Sequence, residues 1–291
     1  MNILNKIVLL IKSSTPVNIL RKIYLSNRSS TPRNNARRPD SKEIEKYYDE
    51  RTDGYIEDYG YILQAARPKS DEDLIKFIVN GIDPKEGMHL LDAGCGVCGP
   101  AIAIANNRNV TIEGITISQK QVDKSRENIN KEGLTERIKV TKGDFQDLTD
   151  FYPTNHFDMV YFLESLGYAK DMKKVLKSAV RVLKPGGHIY IKDFFLVPLI
   201  TRQQEKIRMQ SIKEIRSQYL YKLANLPELI HELEALGLFI EFIRVPDFQG
   251  DFSKAATFEQ NNTDHGVWSK AIQNSFQMYT HLEVKFRKVY Y

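Results

Sequence analysis

Short apolar segments alternate with helical segments between residues 89 and 193, and this alternation constrains the fold more than any other feature of the sequence. The apolar segments have the length of strands, and the segments between them have the length and periodicity of helices. This pattern is typical of a parallel sheet covered by helices. Strands are predicted at residues 89–92, 110–115, 138–142, 157–163 and 188–193. Helices are predicted at residues 99–106, 119–131 and 172–183.

Segments on both sides of this alternating region complete the predicted domain. Asp40 is the expected N-cap of a further helix, and Glu43 completes a capping box with it. The polar helical segment 197–224 interrupts the alternation, and such an insertion would lie over the carboxyl ends of the strands. Also predicted are helices at 71–79 and 227–236, a turn at 184–187, and strands at 239–245 and 282–290, the last strand antiparallel and half-exposed.

These elements predict an α/β fold, a Rossmann-like sheet of seven mostly parallel strands with helices on both faces. The domain would span residues 40–291, with a helical lid insertion at about residues 195–225. Hydrophobic residues make up 42% of the chain and charged residues 27%, so one large globular core is expected. No segment reaches the roughly 18 consecutive apolar residues of a membrane span. We therefore expect a cytoplasmic protein.

A basic, amphipathic arm precedes this domain at residues 1–39. Residues 1–42 carry a net charge of +8, so the remainder of the chain carries −3 of the total of +5. The basic character therefore gives no support for nucleic-acid binding by the domain. Two short amphipathic helices are predicted in the arm, packed against the domain or against a neighbouring copy in a homo-oligomer. Contact with an anionic membrane surface is the alternative.

A glycine-rich loop, Asp92-Ala93-Gly94-Cys95-Gly96-Val97-Cys98-Gly99, joins the first strand to a helix. Glycines let backbone amides approach a ligand closely, and a helix start favours an anionic group. The loop alone is ambiguous, because its glycines and Glu113 also fit a dinucleotide-binding pattern. The cysteine pair has the spacing of a redox pair, but two small side chains in a tight turn are the simpler interpretation. The six histidines show no metal-binding pattern, and no metal is predicted.

A second acidic residue follows the third predicted strand, in Gly143-Asp144-Phe145. The carboxylate of Asp144 could accept a hydrogen bond from an adenine amino group, and Phe145 could flank the ring. Neither a dinucleotide site nor a redox pair explains acids at both of these strand ends. The combination favours a nucleoside-containing cofactor of another kind.

With these motifs the chain resembles the class I S-adenosylmethionine-dependent methyltransferases. The run Gly114-Ile115-Thr116-Ile117-Ser118-x-x-Gln121 is similar to the branch that contains the cyclopropane-fatty-acid, sterol and prenyl C-methyltransferases. The resemblance implies the cofactor S-adenosyl-L-methionine and the product S-adenosyl-L-homocysteine. Ser118 could equally be a helix N-cap. The implied cofactor contacts are Tyr48, Asp92, Gly94, Cys95, Gly96, Thr116, Ser118, Gln121, Asp144, Phe145 and Leu163.

Two further runs resemble the sterol and prenyl-chain enzymes. Leu163-Glu164-Ser165-Leu166-Gly167-Tyr168 is similar to a motif whose glutamate lies next to the reacting carbon, although many of those relatives have His in place of Tyr168. The tyrosine-rich segment Tyr47-Tyr48-Asp49-x-x-Thr52-Asp53-x-Tyr55 is similar to a helix that closes over the cofactor, with Tyr48 on its carboxylate. The segment 47–67 and the run Glu164-Ser165-Leu166-Gly167 look closest to bacterial enzymes that methylate terpenoid or prenyl chains, such as geranyl diphosphate and prenyl-indole C-methyltransferases.

The resemblance implies methylation of an alkene carbon in a small terpenoid, prenyl or related lipid-like substrate. Glu164 would stabilise the resulting carbocation and remove a proton, and aromatic faces would add cation–π stabilisation. Candidates for these aromatic residues are Tyr55, Tyr59, Tyr168, Phe194 and Tyr279.

Alternatives remain open on sequence grounds. Mg²⁺ is expected only if the substrate carries a diphosphate, for which Arg202, Lys206, Arg208 and Lys213 are available, although a solvated lid face also explains these residues. A small-molecule O- or N-methyltransferase is the first alternative function. A nicotinamide-dependent oxidoreductase is the more remote one.

Overall fold

The computed structural model describes residues 39–196, 202–246 and 279–289. Residues 1–38 of the predicted basic arm and residues 197–201 of the predicted lid lie outside the described residues. None of the helices in the described ranges is long and apolar enough to cross a membrane.

A seven-stranded sheet forms the centre of the described structure, with the strand order β3-β2-β1-β4-β5-β7-β6. The first five strands pair in parallel, whereas β7 runs antiparallel between β5 and β6. The predicted seven-stranded, mostly parallel sheet is thereby confirmed. The strands are β1 (His89–Ala93), β2 (Thr111–Thr116), β3 (Ile138–Lys142), β4 (Phe157–Leu163), β5 (Leu183–Leu196), β6 (Leu238–Arg244) and β7 (Tyr279–Lys288).

Local sequence signals explain where the helices begin. Asp40 and Glu43 form both halves of the predicted capping box at the start of the first helix. Ser70 caps the second helix. Three acidic side chains in its first turn interact favourably with the positive end of the helix dipole. The helices are α1 (Ser41–Tyr59), α2 (Asp71–Ile82), α3 (Gly99–Asn107), α4 (Gln119–Lys131), α5 (Met172–Val182), α6 (Arg202–Tyr219) and α7 (Leu226–Ala235).

The sheet separates two hydrophobic clusters, one on each face. Successive strand residues point to opposite faces, so Leu90 enters one cluster and its neighbour Leu91 enters the other. Helices α2, α3 and α4 supply apolar side chains to the cluster of Leu90. Helices α5 and α7 supply the cluster of Leu91. The predicted arrangement of helices on both faces is therefore present.

The prediction of a separate turn at residues 184–187 was wrong, because this segment lies inside β5. Phe157 pairs with Leu183 and Met159 pairs with His188, so four residues of β5 face one residue of β4. The extra residues form a bulge, which Lys184 holds through a 2.9 Å contact between its Nζ and the carboxylate of Asp158.

The prediction of a half-exposed last strand was also wrong. Residues 282–286 of β7 are all buried, including Glu283 and Lys285. Glu283 accepts hydrogen bonds from Tyr190 and Arg244, and the Nζ of Lys285 donates to the carbonyl oxygen of Ile82 at 3.0 Å. Each of these buried polar groups has a hydrogen-bond partner in another element. The alternation of apolar and polar residues along β7 therefore does not indicate that one face of the strand is exposed to solvent.

Candidate active site

The glycine loop lies at the carboxyl end of β1, where α3 begins. Gly94 and Gly96 have positive φ angles of 92° and 55°. A Cβ atom at Gly94 would lie 2.5 Å from the Cβ of Ser165, so only glycine permits this close approach to the end of β4. The amides of Gly94 and Cys95 both donate to the carbonyl oxygen of Ile115 at 3.0 Å. These two amides therefore fasten the loop to β2.

A cavity opens above the loop at the carboxyl edge of the sheet, and we call it the loop cavity. Its empty volume is about 650 Å³, counted together with the open space at its mouth. The structure brings together here eight of the eleven residues predicted to contact a cofactor. Its lining consists of Ile44, Tyr48, Leu63, Gly94, Gly96, Thr116, Ile117, Gln121, Asp144, Phe145, Gln146, Leu163, Glu164, Ser165 and Tyr168.

Three predicted cofactor contacts lie outside this lining. Asp92 is buried beneath the loop, where burial raises the pKa of its carboxyl to about 7, an effect that the phenol of Tyr161 partly opposes. Cys95 is buried close to Cys98 and Gly114. Ser118 caps α4 by accepting from the amide of Gln121 at 3.1 Å, as the alternative N-cap interpretation predicts.

Polar side chains inside the loop cavity hold one another in fixed positions. The hydroxyl of Thr116 donates to Oε1 of Gln121 at 2.6 Å. The carboxylate of Asp144 accepts from the backbone amide of Gln146 at 2.9 Å and from its side-chain amide at 3.0 Å. The ring of Phe145 meets the ring of Phe162 edge to face at 6.0 Å. These contacts present an acid, an aromatic ring and an amide to one space.

Helix α1 crosses this edge of the sheet and covers the loop cavity. Its first residue, Ser41, donates to Asp144. Asp49, about two turns farther along, accepts from the hydroxyl of Ser118. Because these contacts join α1 to the segments after both β2 and β3, the helix holds Tyr48 over the cavity.

A second cavity adjoins the first, and we call it the aromatic cavity because seven of its twelve lining residues are Tyr or Phe. It encloses about 780 Å³ including its mouth. It shares Tyr48, Leu63, Glu164 and Tyr168 with the loop cavity, so the two spaces have a common wall. Its lining consists of Tyr48, Tyr55, Tyr59, Leu63, Ala65, Glu164, Tyr168, Phe194, Ile215, Tyr219, Tyr221 and Leu223.

The aromatic rings of this cavity contact one another directly. Tyr168 lies between Tyr48 and Tyr221, with ring centroids 5.3 Å and 4.9 Å away. Burial raises the pKa values of all three phenols well above their usual range, so they are neutral donors at physiological pH. The predicted pocket residues Tyr55, Tyr59 and Tyr168 line the cavity. Tyr279 begins β7, but its side chain lies outside the part of the structure that is described.

Glu164 follows β4 at the wall between the two cavities. Its φ of 55° turns the chain sharply, and its side chain is 7% exposed. Oε2 accepts from the amide of Ala65 at 2.7 Å, and Oε1 accepts from the amide of Ala66 at 3.2 Å and from Lys192. The predicted catalytic carboxylate is therefore held in place by three donors.

The sequence reasoning missed Lys192, which is fully buried in β5. Besides Glu164, its Nζ donates to Oε1 of Gln64 at 2.7 Å and to the carbonyl oxygen of Ala66. The available signal was the adjacent charged residues Lys192 and Asp193 inside the otherwise apolar run of residues 189–195, because charges in such a strand need buried partners.

A neighbouring pair, Asp193 and Tyr221, was missed as well. One carboxylate oxygen of Asp193 accepts from the amide of Phe194 at 2.6 Å and from the hydroxyl of Tyr221. Burial raises the pKa of Asp193 to about 7, although Tyr221 opposes the effect. The pair fixes the orientation of the Tyr221 ring, which forms part of the aromatic cavity.

Glu113, the acid that would suit a dinucleotide site, does not line either cavity. It is the third residue of β2, beside His89 and His156. Its position gives no support to the oxidoreductase alternative.

Comparison with known proteins identifies the family. Residues 84–235, just over half of the chain, match the model of a family described as a methyltransferase domain. The 27-O-demethylrifamycin SV methyltransferase of Amycolatopsis mediterranei is 35% identical over 174 residues, which are 55% of this chain and 61% of the relative. A sterol 24-C-methyltransferase of Aspergillus fumigatus is 32% identical over 169 residues, which are 55% of this chain and 44% of the relative. The matched region thus spans about half of these relatives.

Solved structures agree with the fold. The [4+2]-cyclase SpnF superposes with a TM-score of 0.72 at 20% identity, covering 87% of this chain and 98% of that chain. Geranyl diphosphate C-methyltransferase from Streptomyces coelicolor A3(2) superposes with a TM-score of 0.68 at 16% identity, covering 86% and 97%. The chain therefore belongs to the methyltransferase domain family, and its fold is that of the class I S-adenosylmethionine-dependent enzymes.

Proposed function

We propose that this chain is an S-adenosyl-L-methionine-dependent C-methyltransferase acting on an alkene carbon of a small terpenoid, prenyl or related lipid-like metabolite. The observation that carries the proposal is the position of Glu164, at the wall shared by a polar loop cavity and an aromatic cavity. A carboxylate at that wall lies where a methyl donor in one cavity would meet an acceptor in the other.

The loop cavity suits S-adenosyl-L-methionine in shape and in its polar groups. Gly94 lines this cavity, and its lack of a side chain lets the loop pack closely against Ser165 at the end of β4. Asp144 and Phe145 would hold the adenine, Thr116 and Gln121 the ribose and methionine portions, and Tyr48 the carboxylate. When bound, the cofactor supplies a methyl group on a positively charged sulfur, which an electron-rich carbon can attack.

The aromatic cavity suits an apolar acceptor that becomes cationic during the reaction. Tyrosine and phenylalanine faces attract a positive charge within about 6 Å of the ring, by roughly 0.5–2 kcal/mol each. None of the described lining residues is Lys or Arg, so these walls offer no counter-charge for a diphosphate. We therefore propose an acceptor whose reacting portion is uncharged, and a reaction that does not require Mg²⁺.

Glu164 fits proton removal from a carbocation better than proton removal from a hydroxyl. In C-methylation the alkene π electrons form the new C–C bond as the C–S bond breaks, and a neighbouring carbon becomes cationic. Glu164 then accepts the proton of an adjacent C–H bond, whose electrons re-form an alkene. A carbocation gives up its proton readily, so a carboxylate already occupied by three hydrogen-bond donors suffices, whereas an alcohol demands a stronger base.

A second candidate, O-methylation of a small metabolite, is favoured by one finding. The relative with 35% identity is named 27-O-demethylrifamycin SV methyltransferase, and this name indicates methylation of an oxygen atom. The two candidates differ in their products, because the C-methylated product has a new C–C bond whereas the O-methylated product has a methyl ether.

Product analysis with matched variants tests the proposal. The full chain is incubated with methyl-labelled cofactor and a panel of prenyl alcohols, prenylated aromatics, prenyl diphosphates and hydroxylated aromatics, and products are analysed by mass spectrometry and NMR. We expect C-methylation of an uncharged prenyl acceptor. Glu164→Gln should lose at least about a hundredfold in turnover while binding S-adenosyl-L-homocysteine as the wild type does.

Glu241→Gln serves as the matched control, since Glu241 lies on β6 and contacts His188 instead of a cavity. It should retain wild-type turnover. Exclusive formation of methyl ethers, or full turnover by Glu164→Gln, would contradict the proposed reaction.

A further inference from the structure

Three metal-ligating side chains converge at the amino ends of three adjacent strands. His89 begins β1, His156 directly precedes β4, and Glu113 is the third residue of β2. Because β1 lies between β2 and β4 in the sheet, these residues reach the same place from three separate parts of the sequence. The cluster lies at the opposite edge of the sheet from the loop and aromatic cavities, which open at the carboxyl ends of the strands.

The distances from Glu113 to the two histidines match those between the ligands of a bound cation. Nε2 of His89 lies 3.0 Å from Oε1 of Glu113, and Nε2 of His156 lies 3.3 Å from the same oxygen. Each residue offers one ligand atom, and the three atoms all lie within 4.8 Å of one another. Zinc bonds of about 2.0–2.1 Å in tetrahedral geometry put ligand atoms about 3.3 Å apart. The two contacts to Glu113 match this spacing, and the two imidazole nitrogens, which lie within 4.8 Å of each other, would close to about the same distance around the ion.

The surroundings hold the ligands in place and leave a route for entry. The ring of Phe157 packs against both imidazoles, at 4.8 Å from His89 and 4.7 Å from His156. The side chains of His89, Glu113 and His156 are 24%, 22% and 34% exposed, so water and an ion can reach them. Two imidazoles and one carboxylate form a ligand set that suits Zn²⁺ and related divalent transition metals.

We propose that His89, Glu113 and His156 bind a divalent transition-metal ion, with Zn²⁺ as the best fit, through one ligand atom each and a water molecule at the fourth position. The bound ion joins the beginnings of β1, β2 and β4 and stabilises the sheet at the edge remote from the reaction. The proposal does not depend on the proposed methyl transfer, because none of the three residues lines either cavity.

Metal titration of the full chain, freed of tags and treated with a chelator, tests the site. Zinc affinity is measured by competition with a chromogenic chelator, and Co²⁺ is added separately to reveal a tetrahedral site by its visible absorption. We expect one zinc ion per chain and a tetrahedral Co²⁺ spectrum. His89→Gln, Glu113→Gln and His156→Gln should each weaken zinc binding by at least about tenfold and remove the Co²⁺ bands.

Two controls distinguish this site from others in the chain. His188→Gln removes a histidine that pairs with one acid, Glu241, at 3.0 Å, so it should leave zinc affinity unchanged. The double variant Cys95→Ser/Cys98→Ser tests the other pair of soft ligands and should also retain binding. Circular dichroism establishes that each variant is folded before titration.

The proposal is overturned if the folded wild-type chain binds neither Zn²⁺ nor Co²⁺. It is equally overturned if the folded His156→Gln variant binds zinc as tightly as the wild type, or if the cysteine variant loses the site.

Discussion

Asp193 links the active-site wall to the pH dependence of stability. The usual pKa of an aspartate is 3.8, and burial raises that of Asp193 to about 7 in the folded protein. Between these two pH values the folded state retains a proton that the unfolded state has released. The free energy of unfolding therefore falls as the pH rises from about 4 to about 7, by up to about 1.4 kcal/mol for each unit of pKa difference.

Asp193→Asn should reduce this pH dependence, because asparagine has no proton to lose, and the remaining slope should come from Asp92, whose pKa burial also raises to about 7. Its carbonyl oxygen can still accept from Phe194 and Tyr221, so the local hydrogen bonds persist. Urea unfolding between about pH 4 and pH 7 measures the slope. Asp123→Asn, at a position whose side chain is 58% exposed, controls for the loss of a carboxyl group. A slope in Asp193→Asn equal to that of the wild type would show that another group is responsible.

Single residues also mark the limit of what the sequence could predict about the site. The glycine loop, Asp144 and Glu164 were recognisable because each follows a predicted strand directly. Lys192 was not recognisable as a partner of Glu164, because the pairing of β4 with β5 brings the two residues together across 28 positions. Its other partners, Gln64 and Ala66, lie more than a hundred residues away, and such contacts leave no local periodicity in the sequence.

At the scale of elements, the junction of β1 and α3 determines whether the loop cavity exists. Gly94→Ala combines a positive φ with a Cβ only 2.5 Å from that of Ser165. The backbone cost alone is about 1–2 kcal/mol, and the clash would push the loop into the cavity. We expect at least about a tenfold loss of affinity for S-adenosyl-L-homocysteine, measured by calorimetry.

Gly133→Ala separates the backbone cost of a positive φ from the effect of the clash with Ser165. Gly133 also has a positive φ, 67°, but a Cβ there meets no atom within 4 Å. This variant should lose some stability and keep its cofactor affinity. Equal affinities in the two variants would mean that the approach of Gly94 to Ser165 does not shape the site.

Elements with strong local signals were predicted to the residue. Strands β3 and β4 and helix α4 have the expected bounds, because Ser118 caps the helix and apolar runs define the strands. The bulge in β5 and the burial of both faces of β7 could not be predicted in this way. They depend on Lys184 reaching Asp158 and on Glu283 and Lys285 finding partners in other elements.

At the scale of the whole molecule, the two edges of the sheet have different chemistry. The carboxyl edge carries both cavities and the Glu164–Lys192 pair, as expected for ligand sites in open α/β sheets. The amino edge carries the cluster of His89, Glu113 and His156. The alternation of strands and helices was sufficient to predict the first arrangement. The second depends on strand order, which brings three distant residues together and which the sequence alone does not reveal.

Titration calorimetry of the full, folded wild-type chain with S-adenosyl-L-homocysteine tests the central claim, that the loop cavity is a cofactor site. We predict saturable binding with one site per chain and competition by S-adenosyl-L-methionine. No binding of either nucleoside by a sample whose circular dichroism shows the folded α/β structure would contradict the assignment of the cavity and the reaction proposed for it.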